Sequence, residues 1–97
     1  MEKKYDIPAK ECRTETIIKK SRFITTISHT DTDEKAKEFV TRVKSEFSDA
    51  THNCWAYNAG PPGDTAKIGL SDDGEPHGTA GKPILNILIH SDIGEIT

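Results

Sequence analysis

Residues 71–85 read SDDGEPHGTAGKPIL, which is typical of a shaped loop that leads directly into a helix. The stretch Ser71–Pro83 contains three glycines and two prolines. Glycine allows backbone conformations that other residues avoid and proline removes alternatives, so this composition predicts a loop of fixed shape. Pro83 suits the first turn of a helix, where its missing N–H would have no partner in any case. We expect the loop to be shaped by Asp72, Asp73, Gly74, Glu75 and Pro76.

The last residues of this loop carry free backbone N–H groups beside a lysine, at the start of the predicted helix. Such a helix end favours negative charge, so it is able to hold a phosphate or a carboxylate. The pattern is not a GxxxxGK[ST] phosphate-binding loop, because prolines stand where that motif needs glycine and a hydroxyl residue. An alternative is a self-capped turn, in which an acid or hydroxyl of the loop accepts the N–H groups. The predicted anion-binding residues are Gly78, Thr79, Ala80, Gly81 and Lys82.

The hydrophobic periodicity predicts two helices and several short strands, which lie before the loop and directly after it. The clearest helix spans Asp33–Phe47, where apolar residues recur on one helix face. Asp31 followed by Glu34 resembles a capping box at its start. The second helix begins at Pro83 and ends by residues 91–92. Strands are predicted at residues 11–19, 21–28, 53–58 and 66–71, and a further strand begins at residues 94–97.

The composition is that of one small domain with a large surface. Of its 97 residues, 33% are hydrophobic and 30% are charged, and the net charge is −3. The longest apolar run, residues 87–89, is far too short for a membrane span, and the first ten residues lack the apolar core of a secretory signal. Cys12 and Cys54 show no paired-ligand spacing. We therefore expect a reduced, cytoplasmic protein with no membrane contact.

Positive charge is concentrated in the first half of the chain. Residues 1–50 hold eleven Lys and Arg against ten Asp and Glu, whereas residues 51–97 hold two against six. Lys19, Lys20 and Arg22 form the one dense basic group, and Phe23 stands beside it. These side chains are suited to contact RNA phosphates and a base. A charged strand edge that prevents aggregation is the alternative explanation of the same residues.

Two further groups of side chains are of the types found in metal or catalytic sites, but their spacing in the sequence does not match such a site. The three acids at residues 72–75 do not match a calcium-binding loop, and we expect them to cap backbone N–H groups. His52, Cys54 and His77 are too few for a structural zinc site. A catalytic Cys54 would need a base and an oxyanion hole that the sequence does not place. We predict no catalytic residue, no metal site and no cofactor.

Three motifs, KKSRFI (19–24), DATHNCWAY (49–57) and SDDGEPHGTAGKPIL (71–85), resemble the N-terminal domain of the Impact family. The resemblance implies an α+β fold of the ribosomal-protein type, also seen in the fourth domain of elongation factor G. It implies a small mixed or antiparallel sheet with two helices packed on one face. Eukaryotic members are regulators of translation, and bacterial members are suspected of nucleic-acid or ribosome contact. The resemblance therefore implies a translation-associated function, although a shared fold alone does not fix one.

The family continues beyond residues 94–97 into a further strand and helix. We therefore expect residues 1–97 to form a single, C-terminally truncated domain, with residues 1–11 flexible. An unpaired edge at the C-terminal end should lead to self-association or to pairing with a partner strand.

Two functional hypotheses follow, and we favour the first. It is a binding module without turnover, in which Lys19, Lys20 and Arg22, with Lys82, contact RNA, the ribosome or a regulatory protein partner. The alternative is an enzyme or small-anion-binding protein that uses the loop Ser71–Pro83, with a histidine that moves protons. A third interpretation gives the loop a structural role alone.

Overall fold

The computed structural model describes residues 4–97, which form two helices and two antiparallel pairs of strands. The strands are β1 (Cys12–Ile18), β2 (Ser21–Ile27), β3 (Trp55–Asn58) and β4 (Ile68–Ser71), and the helices are α1 (Asp33–Glu46) and α2 (Gly81–His90). The predicted α+β class is confirmed. Most of the predicted bounds differ from the observed ones by one or two residues.

The N-terminal segment is described from Lys4 onward. Of the residues predicted to be flexible, 1–3 lie outside the described part of the chain. Asp6 forms a parallel bridge with Ile93, and its carbonyl accepts the N–H of Gly94 at 2.9 Å. Within the described residues, no helix is long and apolar enough to cross a membrane.

β1 and β2 form a hairpin whose turn consists of two lysines. The register pairs Ile18 with Ser21, so Lys19 and Lys20 are the turn residues. Their φ angles are +49° and +69°, in the left-handed region that a type I′ turn requires at both positions. β1 is exposed along its whole length. Lys19 and Lys20 are exposed as well, so the turn of the hairpin is open to solvent.

α1 contacts β3 near the start of the helix. Ala36 lies in a buried cluster with Tyr57 and Ala59. The helix is capped by Thr32, whose hydroxyl accepts the N–H of Lys35 at 3.0 Å. The expected capping box therefore does not provide this cap. Its Asp31 instead pairs with Lys35, at 2.9 Å between carboxylate and ammonium.

α2 also packs against β3. Leu85 and Leu88 are buried together with Ala56 and Ile96. Neighbouring side chains on a strand point to opposite sides, so Ala56 faces away from Tyr57 and its α1 partner. Tyr57 thus contacts α1 and its neighbour Ala56 contacts α2.

Gly81 brings the start of α2 directly against β4. A Cβ atom at this position would lie 2.8 Å from the carbonyl oxygen of Ser71, closer than real Cβ contacts. The close approach fixes both ends of the connecting loop, since Ser71 ends β4 and Gly81 begins α2.

The segment 93–97 joins the hairpin to the second pair of strands. Ile96 bridges His29 on one side and Asn58 on the other, both antiparallel. Ser28 and Thr97 exchange two backbone hydrogen bonds of 3.1 Å, and Asn58 and Ile96 exchange two of 2.9 Å. The strand expected to begin at residues 94–97 is present here as isolated bridges.

Candidate functional site

The motif around Cys54 and the loop after β4 form one structural unit. The ring Nδ1 of His52 lies 2.7 Å from the carbonyl oxygen of Asp73, and the N–H of Asn53 donates to the Asp73 carboxylate. The Cys54 thiol donates to the carbonyl oxygen of Asp72 at 3.2 Å. Two sequence motifs that lie about twenty residues apart are therefore joined by three direct contacts.

The Asp72 carboxylate occupies the N-terminal end of α2. Its two oxygens accept the N–H groups of Gly78 (2.8 Å), Ala80 (3.0 Å) and Gly81 (2.8 Å). These N–H groups, that of Gly78 first, hold the pKa of the Asp72 carboxyl below its ordinary value of 3.8. The contacts are those of the self-capped turn, with Asp72 as the capping residue.

The anion site predicted at residues 78–82 stays a prediction. Three of its N–H groups already bond the Asp72 carboxylate, and the N–H of Thr79 donates to the carbonyl oxygen of Pro76 at 3.1 Å. Lys82 is exposed beside them. An external anion would have to compete with Asp72 for the same donors.

The residues expected to shape the loop have separate partners. The Asp73 carboxylate accepts the N–H of Asn53 and lies 3.9 Å from the Lys44 ammonium, whereas Glu75 lies 3.5 Å from Nε2 of His52. Gly74 has a φ of +89° and packs against His52, which a Cβ would approach to 3.3 Å. Each of these two carboxylates therefore has its own partners.

Cys54 has the surroundings of a structural cysteine. Burial raises the pKa of its thiol, and the nearby Glu75, Asp73 and Asp72 carboxylates raise it further. Because the thiolate is the reactive form, these surroundings disfavour a nucleophile. Among the described residues, no three metal-ligating side chains come together in a group that could hold an ion.

The basic group predicted from the sequence lies at the hairpin turn. Lys19 and Lys20 are exposed, and neither forms an ion pair with any residue in the described part of the chain. Arg22 is also exposed, but its Nε donates to the Glu15 carboxylate across the hairpin. The two turn lysines thus carry the unpaired positive charge of this group.

Sequence reasoning missed the contacts that fix the hairpin relative to α1. The Arg13 guanidinium lies 4.8 Å from the centroid of the Phe47 ring and pairs with Glu46. Together with residues of both strands, these side chains line an open groove of about 350 Å³. No local sequence signal links residues that are more than thirty positions apart.

A family model of the Impact N-terminal domain matches residues 19–97. The chain belongs to the Impact family. It is 55% identical over 91 residues to the IMPACT family member YigZ of Escherichia coli, with 94% of this chain and 45% of YigZ covered. It is 50% identical over 93 residues to an IMPACT family member of Haemophilus influenzae, with 96% and 45% covered.

Two further comparisons agree with this assignment. The IMPACT family member YvyE of Bacillus subtilis is 46% identical over 74 residues, with 76% of this chain and 33% of YvyE covered. A crystal structure of a hypothetical protein superposes with a TM-score of 0.90 at 53% identity, over 95% of this chain and 45% of that one. The chain thus spans about half the length, or less, of the Impact family relatives it matches.

Proposed function

We propose that this Impact-type domain is a binding module that contacts RNA phosphates through the turn of the β1–β2 hairpin. The observation that carries the proposal is the conformation of Lys19 and Lys20, which both have positive φ. A type I′ turn favours Asn-Gly at these positions, and a left-handed conformation costs an ordinary residue about 1–2 kcal/mol. Two lysines thus occupy positions that are unfavourable for folding, which suggests a role for their charge.

The surroundings of the turn support phosphate as its ligand. The chain carries a net charge of −3, yet the two ammonium groups at the turn have no carboxylate partner among the described residues. An RNA backbone could approach them from solvent without breaking an existing ion pair. The alternative explanation, protection of a strand edge, accounts for the charge but not for two lysines at positive φ.

The translation-associated part of the proposal rests on the family. The Impact resemblance points to the translation machinery, and a domain that contacts RNA or the ribosome there, with a regulatory role, would act in the cytoplasm. Catalysis is not part of the proposal, because backbone N–H groups already bond the Asp72 and Asp73 carboxylates and the surroundings of Cys54 disfavour its thiolate.

The double variant Lys19→Asn/Lys20→Gly tests the proposal because it separates binding from folding. The variant introduces the preferred type I′ sequence, so we expect it to be more stable by about 1–2 kcal/mol and to bind RNA more weakly. Loss of two phosphate contacts should also lower the slope of log affinity against log salt by about 1.4 for a single strand. Fluorescence anisotropy with a labelled RNA at several salt concentrations measures both quantities.

Lys37→Gln/Lys67→Gln is the matched control, since it removes the same charge at two exposed lysines away from the turn. It should bind RNA like the wild type. The proposal is wrong if the turn variant binds as tightly as the wild type, or if the control loses as much affinity. Absence of RNA binding by the wild type at low salt would also overturn it, and would leave an acidic protein as the partner to examine.

A further inference from the structure

We infer that the outer face of the hairpin is a stacking surface for an unpaired base of single-stranded RNA, with Phe23 as the platform. This inference rests on the proposed function and names the form of RNA that the same site takes.

The pairing register places Phe23 on the side of the hairpin that faces away from α1. Phe23 pairs with Thr16, and paired residues of antiparallel strands share a face. Arg13 lies on the opposite face, because it is an odd number of residues from Thr16 along β1. Its guanidinium contacts Glu46 at the end of α1 and the Phe47 ring. The face that carries Phe23 is therefore directed outward.

This outer face is exposed and uncharged over its whole length. Phe23 is 52% exposed and Ile18 is 54% exposed, although both are large and apolar. Charged residues make up 30% of the chain, yet none lies on this face. The outer face consists of Cys12, Thr14, Thr16, Ile18, Ser21, Phe23, Thr25 and Ile27.

The mixture of groups on the outer face fits a nucleotide better than an apolar protein surface. Phe23 supplies a ring for base stacking, which tolerates any base because every base has a π-face. It is flanked by the hydroxyls of Thr16 across the hairpin and Thr25 two residues along the strand, which are able to bond ribose or base edges. None of the residues on this face carries a carboxylate that would contact and repel a phosphate.

The distance from the lysines to the ring suits a single strand. Phe23 is three residues beyond Lys20, or about 10 Å along an extended chain, so one RNA strand is able to touch both. In a duplex the bases are already stacked and paired, and Phe23 could not reach a base face. The outer face should therefore favour single-stranded RNA over a duplex of equal charge.

The variant Phe23→Leu tests the inference, since it keeps an apolar side chain and removes the aromatic ring. We expect about a fivefold or greater loss of affinity for a labelled single-stranded RNA, with no change for a matched duplex and no change in salt slope. Phe23→Trp should restore binding, and its added indole should be quenched by RNA beyond any change from Trp55. Ile17→Ala is the control, because Ile17 is 69% exposed near the same turn but lies on the other face.

The outcomes separate this inference from the proposed function. If Lys19→Asn/Lys20→Gly reduces RNA affinity and Phe23→Leu does not, the stacking surface is wrong and the phosphate contact stands. If neither change affects RNA binding, both are wrong. Equal losses from Phe23→Leu and Ile17→Ala would overturn the stacking surface, because an effect on hairpin packing would then explain both. Circular dichroism of each variant establishes that the hairpin is folded.

Discussion

Asp72 caps α2 from nine residues before the helix begins. The residue at the ordinary N-cap position, Ala80, makes no side-chain hydrogen bond to the helix. The carboxylate instead reaches across the loop and accepts three N–H groups, as a bound anion would. The negative charge that a helix N-terminus favours is thus supplied by the loop itself.

Removal of this carboxylate should open an anion site at the start of α2. We expect Asp72→Ala to lower the thermal midpoint, because three N–H groups lose their acceptor next to the exposed Lys82. Phosphate or sulfate should then raise the midpoint of the variant more than that of the wild type. Thermal denaturation in sulfate, with chloride at equal ionic strength as reference, measures the difference.

Asp49→Ala is the matched control for this experiment, since it removes one exposed carboxylate outside the loop. It should respond to sulfate as the wild type does. If Asp72→Ala gains no more from sulfate than the wild type, anion binding at residues 78–82 is not available even when the cap is removed. Addition of Lys82→Ala to Asp72→Ala should weaken the rescue if the lysine takes part.

Among the elements, the segment 93–97 holds the hairpin to the rest of the domain. Glu95 is central to it, because its carboxylate accepts from the Tyr5 hydroxyl and lies 2.7 Å from Nε2 of His29. Its backbone carbonyl also accepts the N–H of Thr30 at 2.8 Å. One residue therefore links the N-terminal segment, the end of β2 and the C-terminal segment.

Acid should weaken this link. The hydrogen bonds from His29 and Tyr5 hold the pKa of the Glu95 carboxyl below its ordinary value of 4.5. A carboxyl whose pKa is lower in the folded state than in the unfolded state stabilises the folded protein. This stabilisation is complete at pH values above the unfolded-state pKa and is lost as the pH falls through the folded-state pKa. The contribution of Glu95 should therefore be complete at neutral pH and disappear in the range below 4.5.

Glu95→Gln should remove this part of the pH dependence, since an amide does not titrate. Urea unfolding of wild type and variant between neutral pH and about pH 3 measures it, and the difference between their midpoints should shrink with acidification. Glu38→Gln, an exposed position on α1, serves as control and should follow the wild type. A constant difference between Glu95→Gln and wild type at every pH would contradict the assignment.

The elements were predictable from the sequence to the extent that their signals are local. The helical period of α1 and the alternation in β2 both depend on neighbouring residues, and both elements are found where expected. The acids of residues 72–75 were expected to cap backbone N–H groups, but the choice of Asp72 among them depends on tertiary structure. The contact of Arg13 with Glu46 also depends on tertiary structure, and no local pattern selects it in advance. The positive φ at Lys19 and Lys20 could not be predicted from the sequence either, because lysine is atypical of a type I′ turn.

At the scale of the whole molecule, the domain is elongated and measures 49 × 26 × 23 Å. In the described part of the chain, the edge of β2 that faces away from β1 is paired with another segment only at its end. Ser28 directs its N–H and C=O toward Thr97. By the alternation of a strand, Thr26 and Ile24 direct theirs to the same side. Among the described residues, these two have no backbone partner outside the hairpin. The edge of β2 is therefore available to another strand.

Self-association through this edge is the expected behaviour of the 97-residue chain. Two copies that pair along β2 would satisfy the backbone groups of Thr26 and Ile24 on both sides at once. Thr26→Pro should abolish the association, because proline removes the outward N–H without taking a bond from the hairpin. Thr26→Val is the control, since it also loses the hydroxyl that accepts from Arg13 but keeps the N–H. Sedimentation velocity over a range of concentrations should show association for the wild type and Thr26→Val and a monomer for Thr26→Pro, and a wild type that stays monomeric at every concentration would refute the pairing.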